Sequence, residues 1–131
     1  MGRIALQTAA VMGSAGWASL TAQEAYRHII STSASCALVT GIEPLLLEEP
    51  ILKLRAYMRT VAFIDVFFNA ETGKTSFALI KDGQRIFGAD NTRGWHLHPF
   101  GSPEDHHPCE EISFEGFLRQ VEENRETWQP A

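Results

Sequence analysis

Cysteine is scarce in this chain: two residues, Cys36 and Cys109, far apart among 131. So few thiols, matching no paired metal-finger spacing, exclude a disulfide-stapled scaffold and read as reduced side chains of a cytoplasmic protein. Long apolar runs are also missing, so no segment qualifies as a membrane span. Basic residues are outnumbered, 11 Lys/Arg against 16 Asp/Glu, and an acidic whole is a poor non-specific binder of nucleic acid. Internal repeats and low-complexity tracts are absent, which sets aside solenoids and disordered tails.

What is present fits one globular unit. Hydrophobic residues make up 44% and charged residues 21%, near globular averages, and the length suits a single core. The charge is uneven. Residues 53–93 carry seven Lys/Arg against four Asp/Glu, whereas residues 94–131 carry two Arg against eight Asp/Glu. The middle of the chain therefore presents a weakly basic surface. Residues 1–20 begin with Arg3 and then an uncharged stretch that superficially resembles a signal peptide. Gln7, Thr8, Gly13, Ser14 and Gly16 interrupt any compact apolar core, so the stretch reads instead as an extension or a helix covering the sheet, with Met12 an alternative start. Residues 21–131 are expected to be the domain.

The pattern predicts an α+β fold, an antiparallel β-meander of five to six strands flanked by an N-terminal and a C-terminal helix. Thr21-Ala-Gln-Glu24 has capping-box form and Ala22, Ala25, Tyr26, Ile29 and Ile30 follow at helical spacing, which predicts a helix over about 21–32. Cys36 to Ile42 is β-prone and is closed by Gly41 and Pro44; Pro50 opens the next strand. Over 52–59 alternation is strict, with Lys53, Arg55, Tyr57 and Arg59 on the outer side. Val61 to Phe68 is apolar on both faces apart from Asp65, so a central strand covered on both sides is expected, by helices, by residues 1–20 or by the second subunit of a homodimer. Asn69 to Gly73 and Lys81-Asp-Gly-Gln84 read as hairpin turns, flanked by strands over Thr75 to Ile80 and Arg85 to Ala89. Trp95 to His98 is expected to be a short edge strand. Ser113 is placed to cap a last helix, with Phe114, Phe117, Leu118 and Val121 on one face and Ile112 stapling against Phe117. The tail after Asn124 is expected to fray.

Four of the five histidines, His96, His98, His106 and His107, fall within twelve residues, with Cys109 just beyond. In an extended segment His96 and His98 share a face, and two chemistries follow. One is metal binding, in which His96, His98, His106, His107 and Cys109 supply nitrogen and sulfur ligands to zinc, although adjacent histidines rarely reach one ion. The other needs no metal: His96 and His98 act as acid and base in RNA cleavage, with Arg85 or Arg93 as the cation for a phosphate. Asp90, Asn91 and Trp95 are the adjacent candidates for substrate contact. The plainer alternatives are that Asp90-Asn-Thr-Arg-Gly94 is an ordinary turn, that Trp95 and Phe100 pin a loop, and that His28 is a surface residue of its helix.

These residues resemble the TumE-type family of toxins from prokaryotic toxin–antitoxin pairs. The resemblance runs from about Ile51 to Glu123. It rests on the strands Ile51 to Arg55 and Val61 to Phe68, the hairpin Phe77 to Phe87, then Asp90-Asn91, His96, His98-Pro99, His106-His107-Pro108 and the helix over Phe114 to Val121. It departs from the family where Thr92-Arg-Gly-Trp95 separates Asp90-Asn91 from the first histidine, and residues 1–20 have no counterpart. The resemblance implies a growth-inhibiting protein with an antitoxin partner.

Overall fold

The computed structural model describes residues 19–129. The reading of residues 1–18 as extension or covering helix, and of Met12 as a start, lies outside the described residues.

The first described helix, α1 (Ala22–Ala34), begins where its signals place it. Thr21 accepts from the Glu24 amide at 3.0 Å while the Glu24 carboxylate accepts from the Thr21 amide at 2.9 Å. Glu49, in the turn after the first strand, accepts from the Ala22 and Gln23 amides and so ties that turn to the helix N-terminus, where negative charge is favoured. The helix outruns its predicted end by one short step, to Ser35 as C-cap.

Seven strands follow in a meander whose spatial order equals chain order: β1 (Val39–Glu48), β2 (Ile51–Met58), β3 (Phe63–Asn69), β4 (Thr75–Lys81), β5 (Gln84–Asp90), β6 (His96–His98) and β7 (His107–Pro108). All pairings are antiparallel. Both predicted hairpin turns are present, with Gly73, Asp82 and Gly83 at positive φ.

Two helices close the chain, α2 (Phe114–Glu123) and the short α3 (Arg125–Trp128). Ser113 caps α2 by accepting from the Gly116 amide, and Ile112 is half-buried against the core. The core lies between α1, α2 and one face of the sheet. Leu52, Leu54, Ile64, Phe68, Phe77, Leu79 and Phe87 from alternate strand positions meet Ile29, Phe114, Phe117 and Val121, with Phe117 packed on both Phe77 and Phe87.

Four expectations need correction. The first strand begins at Val39, because Cys36 and Val39 close turns onto Ser33 and Cys36. It then runs through Gly41 and Pro44, with register shifts at both places. An edge strand tolerates proline because its outward N–H needs no partner. In β3 only Ile64, Val66 and Phe68 are buried, while Phe63, Asp65 and Phe67 are half-exposed on the opposite face. The strand is internal, but the described helices cover one side of it. Trp95 to His98 is not the edge, since β7 pairs outside β6. Finally the tail does not fray up to Gln129: Trp128 is fully buried and donates from its indole N–H to the Val121 carbonyl, while Lys81 Nζ donates to the Trp128 carbonyl.

No described helix is long and apolar enough to cross a membrane.

Candidate metal centre

The alternation of a strand decides what β5 and β6 offer to each face. Phe87 and Ala89 point into the core, and Leu97, opposite Ala89, packs against it too. Gly88, Asp90, His96 and His98 therefore share the other, open face, with Gly88 opposite His98 and Asp90 opposite His96.

One carboxylate serves two imidazoles. Asp90 Oδ2 lies 2.8 Å from His98 Nε2 and Asp90 Oδ1 lies 3.2 Å from His96 Nε2. Its other bond is from the Thr92 amide, at 3.0 Å. Partial burial opposes ionisation of Asp90, but the His98 and Thr92 hydrogen bonds and the neighbouring imidazoles outweigh it and hold its pKa below the ordinary carboxylate value.

The tautomers follow from the partners. An ionised carboxylate only accepts, so His98 donates from Nε2, which leaves its Nδ1 with a lone pair. That nitrogen is buried and has no hydrogen-bond partner, in a side chain only 3% exposed. The cost of an unpaired buried acceptor is about 1–3 kcal/mol. His96 Nδ1 lies 3.0 Å from the Gly94 carbonyl oxygen and must donate to it. In a neutral ring, His96 Nε2 then turns a lone pair toward Asp90 Oδ1, two acceptors facing each other unless a proton or a metal ion lies between.

The third imidazole arrives from the loop between β6 and β7. Phe100 stacks on Phe87 at 4.4 Å, turns close from Ser102 to Pro99 and from Asp105 to Ser102, and Arg85 Nη2 donates to the Pro103 carbonyl at 3.0 Å. So anchored, the loop stacks His106 on His96 at 4.9 Å, with the rings inclined by 29°, and sets it edge-on to His98 at 4.6 Å between centroids. One ring nitrogen from each of His96, His98 and His106 lies within 4.8 Å of the others. Tetrahedral zinc with bonds of ~2.0–2.1 Å wants nitrogens roughly 3.4 Å apart, so the three rings would draw together on an ion. Donor type, the orphaned His98 nitrogen and the carboxylate behind His98 all fit a metal ion.

Of the five ligands expected from sequence, the structure brings together three. His107 sits opposite Leu97 rather than beside His96. Cys109 lies outside the cluster, with its amide bonded to the Trp95 carbonyl; burial, then the Asp90 charge, push its thiol pKa up. Among the cation candidates, Arg85 holds the loop. Arg93 is exposed at the tip of the preceding turn, with a φ of 57°. Trp95 packs against the core. Asn91 is occupied: it accepts from the Thr75 amide and donates to the Gly73 carbonyl, both at 2.8 Å, fastening the β3–β4 turn to the end of β5. Asp90 proves to be the residue that orients the histidines.

Sequence reasoning missed Gly88. A Cβ there would stand 3.0 Å from Arg85 Cδ, 3.2 Å from the Phe77 carbonyl oxygen and 3.5 Å from His98 Cδ2, so the bare backbone makes room for both the loop anchor and the buried imidazole. Only the pairing of β5 with β6 gives that glycine its meaning. Comparisons with known proteins add no relative: no family model, no curated protein and no solved structure matches this chain.

Proposed function

We propose that this protein binds a divalent transition metal, zinc by donor preference, through His96, His98 and His106, with Asp90 orienting two of the three rings. The observation that carries the reading is the convergence of one ring nitrogen from each of three histidines within 4.8 Å, in a cluster where the buried His98 Nδ1 has no hydrogen-bond partner. Each ring of the pair has its other nitrogen tied to an oxygen, His98 to Asp90 and His96 to Gly94, an arrangement that fixes tautomers and raises ligand basicity. The test is metal analysis of the purified, untagged chain beside His96→Ala/His98→Ala. One zinc per chain, lost in the double variant while the fold persists by circular dichroism, is the expected result; a metal-free wild type after zinc loading and dialysis sinks the reading.

A second reading joins what the resemblance implies, a toxin held by an antitoxin, to what the residues suggest, RNA cleavage with His96 and His98 as acid and base. Its support is the contact of both imidazoles, the residue type suited to acid and base roles, with one carboxylate. Induced expression checks it. Growth arrest by the wild type but not by His96→Ala would favour it, and unhindered growth in the absence of any antitoxin would end it.

A further inference from the structure

The open face of the sheet does more than expose the histidines. Strand pairings place its residues in transverse rows. One row runs Arg55, Asp65, Ala78, Gly88, His98, and the next runs Lys53, Phe67, Ser76, Asp90, His96. A third carries Tyr57, Phe63, Ile80 and Arg85. Between the histidine cluster and the aromatic end the floor is made of small residues, Gly88, Ala78 and Ser76. A shallow depression lined in part by Lys53, Arg55, Phe67, Ser76 and Ala78 occupies this floor. Gly88, next in its row, is buried under the Arg85 stem, and the other row leads from Ser76 through Asp90 to His96.

The aromatic end pairs rings with cations. The Arg55 guanidinium lies 4.6 Å from the Phe63 ring centre and Lys53 Nζ lies 6.0 Å from that of Phe67. Phe63, Phe67 and Tyr57 are all half-exposed. Two acidic residues share that end and both are engaged: Asp65 by Arg55 at 3.5 Å, and Glu43, opposite Arg55, by the Tyr57 hydroxyl, which donates to it. Half-exposed rings on a sheet face, each beside a cation, stack nucleobases and hold phosphates.

From these observations we infer that the open face is a single-stranded nucleic-acid platform that delivers the strand to the histidine site. Phe67 and Phe63 take the bases, and Lys53 and Arg55 take the phosphates. The strand crosses Ser76 and Ala78 to reach half-buried His96 and exposed His106. Four strand spacings separate β2 from β6, ~19 Å, a span that fits a few nucleotides rather than one. The inference deepens the metal reading by naming what the site meets, and a bound divalent cation adds positive charge at the histidine end of the track. With two or three cations engaged, the logarithm of affinity falls against that of salt with a slope of about −1.4 to −2.1. An acidic chain thus binds through local stacking and a few contacts, not through its net field.

The test is a fluorescence-anisotropy titration of a labelled eight-nucleotide RNA of mixed sequence with the full chain, zinc-loaded and metal-free, alongside the same RNA as a duplex. Expected are binding of the single strand, weaker binding of the duplex, and a loss of about tenfold in Phe67→Ala and in Lys53→Ala, both of which keep their zinc. Absence of single-strand binding by a zinc-loaded protein overturns the platform and leaves the metal site standing. Equal affinity for the duplex overturns it, as does affinity unchanged in both variants. A dimer by sedimentation that Phe67→Ala dissociates, with no RNA bound, assigns the face to a second copy instead. If no zinc binds, the metal-free titration still decides the platform by the same criteria.

Discussion

The two faces of this sheet are built from the same strands and obey different chemistry. On one, alternate residues are large and apolar, and two helices exclude water from Phe68, Phe77 and Phe87. On the other, the same strands offer Gly88, Ala78 and Ser76 beside Asp90, His96 and His98. The covered face supplies the free energy of folding through area removed from water. The other face can therefore hold a buried, unpaired imidazole nitrogen and a buried bare glycine, features that cost stability. The division of labour is stricter than usual because β5 and β6 carry both functions at successive residues.

The comparison breaks most visibly at the covered face. Phe117→Ala removes the ring that packs on Phe77 and Phe87; a loss of about 3–5 kcal/mol is expected in urea unfolding, with zinc lost only because the chain unfolds. Gly88→Ala acts from the open face on both functions. Its methyl group meets the Phe77 carbonyl and the Arg85 stem, so a destabilisation of about 1–3 kcal/mol should accompany weaker metal binding, read by the same unfolding curve and by isothermal titration with zinc. Asp90→Asn sharpens the contrast. It leaves the core untouched and removes the carboxylate shared by His96 and His98, so zinc affinity should fall roughly 10–100-fold while the unfolding midpoint moves little.

The smallest effect is a pH dependence on the covered side. Burial of His28 lowers its pKa from 6.5, with Glu115 partly opposing the shift. Below pH 6.5 the unfolded chain takes up that proton more readily than the folded one, so stability contributed by neutral His28 is complete above this pH and declines as pH falls toward the folded-state value. His28→Gln should flatten that limb of the stability profile, as measured by urea midpoints between pH 7 and pH 5.

Much of the fold was legible because its signals are local. The Thr21–Glu24 box, the Asp82-Gly83 turn and the Ser113 cap each act within four residues, and the period-two pattern of β2 specifies its own inner face. Errors arose where a signal depends on what lies elsewhere. Pro44 looked like a terminator and is accommodated because β1 is an edge. The doubly apolar β3 looked covered on both sides, although burial of the far face is decided by which elements reach it. Trp128 looked like part of a frayed tail until the pocket beneath α2 gave its indole a carbonyl to bond.

By itself the sequence determined that histidines crowd between Asp90 and Cys109, that His96 and His98 share a face, and that an antiparallel meander carries them, because these follow from composition and from the two-residue period of a strand. Only the tertiary structure decided that His106 joins them and His107 and Cys109 do not, that Asp90 contacts both His96 and His98, and that Gly88 leaves room for a third-row anchor at Arg85. The reason is geometric: convergence of groups from different elements depends on strand register and on the path of a loop, and neither is written in the spacing of the residues that converge.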